Sequence, residues 1–465
     1  MSLTKVTYSM ISNASVNVMD FGAKGDGTTN DTAAIQAAIT YAESTATPPS
    51  AAPGVVQVYF PFGIYIISSA LTVTKSLSFV GEGHSEYSTG ARIIQNTSAT
   101  DHFKVQPISA GCSVSWDSLT MTANGGGGTG GACINITKTT SACNSVRIRG
   151  CTFGTPQSLA IKIQGSDDIQ IDGNLFDVSS TNCISLGTST ATDIVSNCVV
   201  SNNAFFQISS KIFTLYNVNN LIVSNNRVYP NPGSSNAEYF IDGNNTLPYQ
   251  LKDIVVQGNT ITNVNCVADL KGVENFVFSS NSCTSIGKGS GATLSAIQFE
   301  GAPKNISVTG NVFSGSFDTK SFYDDSGVSS PIANANISGN LFTNTAGTGR
   351  AIQCANTAGV ISGNTFYGFA SYSVSESVQT SGSVFTPGTI TTLSSYTQNV
   401  ALTGVLQGDL ITVSSPYTVW PLPVGIQMVA YVSAPGVITF KYENVTAGSI
   451  AVTAHDWIYT VTRSL

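Results

Sequence analysis

Four successive short segments, in which apolar and polar residues alternate, each contain one acidic side chain: Asp242, Asp269, Glu300 and Asp325. If the apolar side chains of these segments point into a core, the polar ones point out, and the segments align on their apolar positions. The inward pairs are then Ile161/Ile163, Ile184/Leu186, Phe213/Leu215, Tyr239/Ile241, Ala268/Leu270, Ile297/Phe299, Phe322/Asp324 and Ile352/Cys354. The outward pairs are Lys162/Gln164, Ser185/Gly187, Thr214/Tyr216, Phe240/Asp242, Asp269/Lys271, Gln298/Glu300, Tyr323/Asp325 and Gln353/Ala355. Carboxylates therefore gather on one outer face, although only 10% of the residues are charged.

Paired carboxylates on one face can hydrolyse a glycosidic bond, with one as general acid and the other as base or nucleophile. Side chains stacked on neighbouring strands lie about 5 Å apart and diagonal ones about 8 Å. We expect Glu300 and Asp325 to have the short separation of a retaining pair, and Asp269 and Glu300 the longer separation of an inverting pair. Glu300 is the predicted general acid, and Asp269 or Asp325 the base or nucleophile, with Asp242 beside them.

Further polar residues flank these acids. Lys271 could hold one carboxylate ionised, and Tyr216, Gln298 and Tyr323 are candidate substrate contacts. Long insertions at 229–237, 244–250, 284–293 and 325–335 would wall a groove along this face. The alternative is that outward acids merely solvate the surface and block edge pairing. A Ser-His-Asp site is disfavoured, because the three histidines, His84, His102 and His455, lie outside the aligned segments.

A recurrent phrase punctuates the same part of the chain: a small or polar residue, Gly or Asn, Asn, any residue, and an apolar residue. Clear copies are Asp172-Gly173-Asn174-Leu175-Phe176, Ser201-Asn202-Asn203-Ala204-Phe205, Ser224-Asn225-Asn226-Arg227-Val228, Gln257-Gly258-Asn259-Thr260-Ile261, Thr309-Gly310-Asn311-Val312-Phe313, Ser338-Gly339-Asn340-Leu341-Phe342 and Ser362-Gly363-Asn364-Thr365-Phe366, with degenerate ones at Arg149 to Phe153 and Ser280 to Cys283. Gly and Asn tolerate positive φ, so each copy predicts a turn that ends a half-buried strand. Short strands repeating without a helical period predict a right-handed parallel β-helix, with the Asn side chains stacked as a hydrogen-bonded ladder.

Composition limits the class of protein. The net charge of −7 over 465 residues argues against nucleic acid or an anionic membrane as partner. We find no apolar run of membrane-spanning length, and Met1 to Met10 lacks a hydrophobic secretory segment. The nine cysteines have no regular spacing and are expected to be buried free thiols, made in a reducing compartment. We predict neither a metal site nor a cofactor.

The predicted organisation is all-β with one helix. Residues 1–54 form an N-terminal segment in which Asn30 or Asp31 caps a helix, whose apolar face (Ala34, Ile35, Ala38 and Ile39) covers the first coil. Residues 55–370 form the β-helix and residues 371–395 a linker. Residues 396–465 show about seven short strands, the pattern of a β-sandwich.

The N-terminal segment resembles the opening of the pectate-lyase-like superfamily. The residues concerned are Asn17-Val18-Met19-Asp20-Phe21-Gly22-Ala23-Lys24-Gly25-Asp26-Gly27, Asn30-Asp31-Thr32-Ala33-Ala34-Ile35-Gln36-Ala37-Ala38-Ile39 and Val58-Tyr59-Phe60-Pro61-Phe62-Gly63-Ile64-Tyr65. With Lys5 to Ile11 they look most like bacteriophage tailspike depolymerases. The resemblance implies a homotrimeric virion protein, assembled in the host cytoplasm and attached to a baseplate or adaptor, that binds and cleaves a bacterial surface polysaccharide. It also implies that the C-terminal sandwich clamps the trimer or binds receptor.

The leading hypothesis is thus a phage tailspike that hydrolyses capsule, exopolysaccharide or O-antigen. One alternative is a polysaccharide lyase using Lys271 with Tyr216 or Tyr323. A calcium-and-arginine mechanism is disfavoured, since the sequence contains no arginine between Arg227 and Arg350. The other alternative is a non-cleaving adhesin that uses the same groove.

Overall fold

A computed structural model describes most of the chain. The described residues are 15–45, 56–83, 90–124, 130–154, 158–177, 182–188, 193–229, 237–243, 251–287, 296–316, 320–324, 332–345, 350–353, 358–368, 371–375, 388–391, 393–401, 410–414, 424–435, 437–452 and 458–462.

Three long parallel sheets, wound by successive coils, form the body of the protein. The first sheet contains β1 (Val16–Asn17), β3 (Val56–Phe60), β6 (Leu77–Gly81), β9 (Cys112–Asp117), β12 (Cys143–Arg149), β15 (Ile169–Asp172), β18 (Val195–Ser201), β21 (Val218–Ser224), β24 (Leu251–Gln257), β27 (Glu274–Ser279), β30 (Lys304–Thr309), β33 (Ala333–Ser338) and β36 (Ala358–Ser362). The second contains β2 (Asp26–Asn30), β4 (Gly63–Ile67), β7 (Ala91–Gln95), β10 (Thr120–Ala123), β13 (Thr152–Gly154), β16 (Leu175–Asp177), β19 (Ala204–Phe206), β22 (Arg227–Val228), β25 (Thr260–Thr262), β28 (Ser282–Ile286), β31 (Val312–Gly315), β34 (Leu341–Asn344) and β37 (Thr365–Tyr367). The third contains β5 (Leu71–Val73), β8 (Phe103–Val105), β11 (Ala132–Ile136), β14 (Leu159–Ile163), β17 (Asn182–Leu186), β20 (Lys211–Leu215), β23 (Ala237–Gly243), β26 (Val264–Lys271), β29 (Ile297–Glu300), β32 (Lys320–Asp324), β35 (Arg350–Gln353) and β38 (Ser371–Ser375).

The architecture is the predicted right-handed parallel β-helix. Its first coil starts within the N-terminal segment, since β1 and β2 pair with β3 and β4. Its third sheet ends on β38, within the stretch expected to be linker. The interior is filled by the inward apolar side chains, and stacked phenylalanines run along it, as at Phe153, Phe176 and Phe205.

The corner between the first and second sheets carries the predicted asparagine ladder. Eight asparagines stack on successive coils, each accepting hydrogen bonds from the coil before it; they are Asn174, Asn203, Asn226, Asn259, Asn281, Asn311, Asn340 and Asn364. Every Nδ2 in the ladder also donates to a main-chain carbonyl, as Asn226 does to Val200 at 2.9 Å. The residue before each asparagine has positive φ, for example Gly258 at 66° and Asn225 at 55°. Buried amides that satisfy one another in this way fix both the corner and the register of the coils.

A second ladder, which the sequence pattern did not reveal, runs along the exposed side of the first sheet. Asn334 donates to Asn305, Asn305 to Asn275, and Asn275 to Asp253, at 2.6 to 3.0 Å. All four residues have positive φ. Each lies at a bulge where one residue leaves the strand alternation, and Asn and Asp are the side chains that tolerate that conformation.

The eight cysteines within the described residues are buried and free, in agreement with the expectation from their spacing. The ninth, Cys354, lies outside the described residues. Desolvation raises the pKa of fully buried thiols such as Cys151, so these side chains pack as small apolar groups.

The helix α1 (Thr32–Thr45) covers the start of the solenoid, as predicted. Its buried face is Ile35, Ala38, Ile39 and Ala42, and Asn30 Oδ1 accepts from Thr32 N at 3.1 Å. Asp31 accepts from the amides of Lys24 and Gly25 at 2.7 and 3.1 Å. The Gly-rich loop therefore uses its amide groups to attach itself to the helix start.

The C-terminal part is the predicted antiparallel β-sandwich, except that it begins at Gly388, within the stretch expected to be linker. Its described strands are β39 (Gly388–Ile390), β40 (Ser395–Ala401), β41 (Leu410–Ser414), β42 (Ile426–Ala434), β43 (Val437–Asn444), β44 (Ile450–Val452) and β45 (Ile458–Thr462). They pair antiparallel as β39 with β44, β43 with both β40 and β42, and β41 with β45. Ile438, Phe440 and Tyr442 of β43 are fully buried. In the part of the chain that is described, no helix has the length and apolar character needed to cross a membrane.

Candidate functional site

The register of the third sheet places one residue from each strand, from β5 to β35, in a single column. The register pairs Thr72, Lys104, Asn135, Lys162, Ser185, Thr214, Asp242, Asp269, Gln298, Tyr323 and Gln353 in that order, each with the next. Lys271 and Glu300 pair two residues further along their strands. The observed register matches the predicted alignment except at β23. The alignment set Tyr239 level with Phe213 and Ala268 and put Phe240 outward, but Ile241 pairs with both residues and Phe240 is buried. Asp242 therefore pairs with Asp269 and not with Lys271, and both acids lie on the same face as Gln298, Lys271 and Glu300.

Asp242 and Asp269 are direct neighbours across β23 and β26. Both side chains are largely covered, with each residue 6% exposed. Neighbouring strands lie about 4.8 Å apart, so the two carboxylates have the separation of a close pair. Lys211 Nζ lies 2.5 Å from Asp242 Oδ2, and this ion pair compensates the charge of Asp242.

Lys211, Tyr239 and Cys266 form a second row beside the pair, each three residues before the column residue of its own strand. Lys211 Nζ lies 5.4 Å from the centre of the Tyr239 ring. Burial is the main cause that raises the pKa of the Tyr239 phenol, so Tyr239 keeps its proton at neutral pH. Burial alone would lower the pKa of Lys211, but its hydrogen bond and charge interaction with Asp242 outweigh burial and raise it. The site thus combines carboxylates, a fixed cation and a neutral phenol.

Glu300 lies in a more open part of the face. Its Oε2 is 3.8 Å from Lys271 Nζ, and Gln298 Nε2 donates to its Oε1 at 3.4 Å. The side chains of Lys271 and Glu300 are 36% and 24% exposed. Since Asp269 pairs with Gln298, Glu300 is diagonal to Asp269, at a separation of about 8 Å between strand positions.

The remaining candidates are less defined. Tyr216 follows β20, is half-buried, and its main-chain N–H donates to Leu186 O at 2.9 Å. Tyr323 belongs to the column by its backbone register. Asp325 lies outside the described residues, as does most or all of each predicted insertion, 229–237, 244–250, 284–293 and 325–335. In the described residues, no cluster of three or more His, Cys, Asp and Glu side chains is suited to a metal ion.

Sequence reasoning missed Lys211 and Tyr239 as site residues. The signal was available as a repeated offset, because Lys211 precedes Thr214 by the same three residues that separate Tyr239 from Asp242. Alternation predicts opposite faces for residues three apart. It fails here because two consecutive residues in these strands are both buried, as in Phe240 and Ile241.

Comparison with known proteins supports the assignment of the fold. In sequence, a stretch of 77 residues is 44% identical to a mannuronan C5-epimerase of Azotobacter vinelandii, covering 15% of this chain and 4% of the epimerase. The solved structure of DFA-IIIase from Arthrobacter chlorophenolicus A6 without its lid has a TM-score of 0.52 at 15% identity, over 76% of this chain and 98% of that one. ORF18 of Geobacillus virus E2 has a TM-score of 0.51 at 16% identity, over 96% of this chain and 76% of that one.

The family itself is given by a sequence model that matches residues 15–246, described as rhamnogalacturonase A/epimerase, pectate lyase-like. The match spans the capping helix and the first coils, including the loop that Asp31 holds. With the parallel β-helix that follows, these observations place the chain in the pectate-lyase-like family.

Proposed function

We propose that this protein is a phage tailspike that hydrolyses a bacterial surface polysaccharide, either capsule, exopolysaccharide or O-antigen, on the outer face of the third sheet. The observation that carries the proposal is the register pairing of Asp242 with Asp269, each 6% exposed, beside the ion-paired Lys211. Two neighbouring carboxylates that are largely buried lower the stability of the fold. Their presence on an otherwise charge-poor solenoid therefore favours a catalytic role.

Asp269 belongs to two possible catalytic pairs. With Asp242 it forms the close pair, whose spacing suits a retaining mechanism. There Asp242, compensated by Lys211, attacks the anomeric carbon while Asp269 gives its proton to the leaving glycosidic oxygen. Asp269, now ionised, then takes a proton from a water molecule that attacks the anomeric carbon, and cleavage of the bond to Asp242 releases the sugar. With Glu300 it forms the diagonal pair, which leaves room for a water and suits inversion, with Glu300 as general acid and Asp269 as general base.

Two observations support the virion setting. The opening segment resembles tailspike depolymerases. The fold of a Geobacillus virus E2 protein matches that of this protein over 96% of the chain. We therefore extend the proposal to a homotrimeric tail protein that binds the host surface through this groove and the virion through an adaptor or baseplate. A monomeric mass in sedimentation equilibrium would contradict the trimer.

The test is digestion of purified bacterial capsules, exopolysaccharides and O-antigens with the full chain. New reducing ends without ultraviolet absorbance indicate hydrolysis, whereas an unsaturated uronate chromophore indicates the lyase alternative. Asp269→Asn should lower kcat at least 100-fold, as expected when a general acid or base is removed. The matched control is Glu274→Gln, an acid on the first sheet that pairs with Lys252 at 3.9 Å, and it should leave kcat unchanged.

The variants also separate the two pairs. If Asp242→Asn abolishes hydrolysis and Glu300→Gln retains it, the close pair is the catalytic one. If Glu300→Gln abolishes hydrolysis and Asp242→Asn retains it, the diagonal pair is. The anomeric configuration of the first product, read by NMR, should agree with that selection. Binding of a polysaccharide that stays intact with the wild-type protein would overturn hydrolysis and favour the adhesin.

A further inference from the structure

We propose that the N-terminal half of the third sheet binds the acidic groups of an anionic polysaccharide, with Lys104 and Lys162 as its charged contacts. This inference rests on the proposed function in taking the third sheet as the substrate groove. It adds the chemical class of the polymer, and the side of the catalytic acids on which the bound chain extends.

The charges of the third sheet are segregated along its length. Its first six strands, β5 to β20, contain Lys104, Lys162 and Lys211, and within these strands there is neither Asp nor Glu. Acids enter the sheet at β23, with Glu238 and Asp242, and continue with Asp269 and Glu300. In a chain with 26 acidic and 19 basic residues, this half of one sheet is locally cationic.

Lys104 and Lys162 belong to the same outward column as the carboxylate pair. Lys104 pairs with Asn135, and Asn135 pairs with Lys162, so the two lysines are two strands, or about 10 Å, apart. Both are half-buried, and neither takes part in an ion pair with another described residue. The nearby acid Asp101 accepts from Ala132 N and Asn135 Nδ2 at 2.7 and 2.9 Å.

The column connects these lysines to the acids without a break. From Lys162 it passes through Ser185 and Thr214 to Asp242, three strands or about 14 Å away. A polymer lying along the column would therefore meet both lysines and reach the carboxylates. A protein with a net charge of −7 repels a polyanion at long range, and short-range cations in the groove are the means to overcome that repulsion.

A binding experiment tests this with catalysis removed. The parent is the full chain with Asp269→Asn, and the test variant adds Lys104→Gln and Lys162→Gln. The matched control instead adds Lys304→Gln, because Lys304 is an exposed lysine of the first sheet. The probes are end-labelled oligogalacturonate as a carboxylate chain, poly(glycerol phosphate) as a phosphate chain and dextran as a neutral chain. Dissociation constants are measured at low and at physiological salt.

We expect the parent to prefer one of the two anionic probes to dextran, and that preference identifies carboxylate or phosphate as the ligand group. The double substitution should weaken binding of that probe about tenfold at low salt and flatten its salt dependence, because two screened attractions are lost. Lys304→Gln should change neither. The inference would be overturned if the parent and the double variant bound equally well, or if Lys304→Gln weakened binding as much as the double substitution. It would also be overturned if neither anionic probe bound.

The two proposals can fail separately. If the wild type and the Lys104→Gln/Lys162→Gln variant cleave a polysaccharide with the same kcat/KM, the lysine subsites are refuted and hydrolysis is supported. If the protein binds an anionic chain through these lysines but cleaves no polysaccharide, the lysine subsites are supported and hydrolysis is refuted.

Discussion

The asparagine ladder predicts a position-dependent cost for removing a single amide. In the middle of the ladder, Asn259 Nδ2 donates to Val223 O, Gln257 O and Asn281 Oδ1, and Asn259 Oδ1 accepts from the N and Nδ2 of Asn226. Asn259→Ala removes these five hydrogen bonds and strands the buried Asn226 N–H. At about 1 kcal/mol net for each bond, and somewhat less where a carbonyl keeps another donor, the expected loss is roughly 3 to 5 kcal/mol.

The end of the ladder provides the comparison. The side chain of Asn364 makes three hydrogen bonds, with Asn340 N, Asn340 Nδ2 and Ile337 O. It is half-buried, so water can replace its amide. Asn364→Ala should therefore cost about 1 kcal/mol.

Hydrogen exchange followed by mass spectrometry is the appropriate assay, since large β-solenoids can unfold irreversibly and local opening is still measurable. Peptides containing Asn226 should lose protection in Asn259→Ala at temperatures where the rest of the first sheet keeps it. Equal effects of the central and terminal substitutions, or an unchanged exchange rate at Asn226, would refute cooperative stabilisation by the ladder.

Three further outcomes are expected. His102 is fully buried, and burial lowers its pKa from 6.5 to about 4. Because the folded state disfavours the charged ring, stability should fall by about 3 kcal/mol as pH drops from 6.5 to 4, and His102→Gln should flatten thermal melting curves recorded over that window. Ser280 holds a φ of 55° at a corner where most coils have Gly or Asn, so Ser280→Gly should raise the unfolding free energy by about 0.5 to 1 kcal/mol in denaturant titrations. Lys211→Gln, which leaves Asp242 without this cation, should lower kcat/KM at least tenfold in the hydrolysis assay, whereas Lys252→Gln should not.

The winding and register of the coils could be predicted because they depend on local, repeated constraints. An apolar residue at every second position and an asparagine after a positive-φ residue recur on most coils, so the pairing of Asp269 with Gln298 follows from alignment. The pairing of Asp242 with Asp269 could not be predicted in this way, because β23 buries Phe240 and Ile241 in succession and the alignment was two residues out of register there. The ion pair between Lys211 and Asp242 could not be predicted either, because it depends on the same two consecutive buried side chains of β23. The exposed Asn275 to Asn334 ladder escaped notice because a single bulged residue leaves no periodic signal in sequence.

The two-residue corner between the first and second sheets has a consequence for how such a β-helix can diversify. From β9 to β36 this corner never changes length, whereas the connections into and out of the third sheet vary from one to ten residues over the same coils. Length variation is thus confined to the two edges that border the proposed groove, while the opposite seam preserves the stacking of the coils. Loops there can be exchanged, lengthened or deleted one coil at a time, so the proposed groove can change its ligand without refolding of the β-helix.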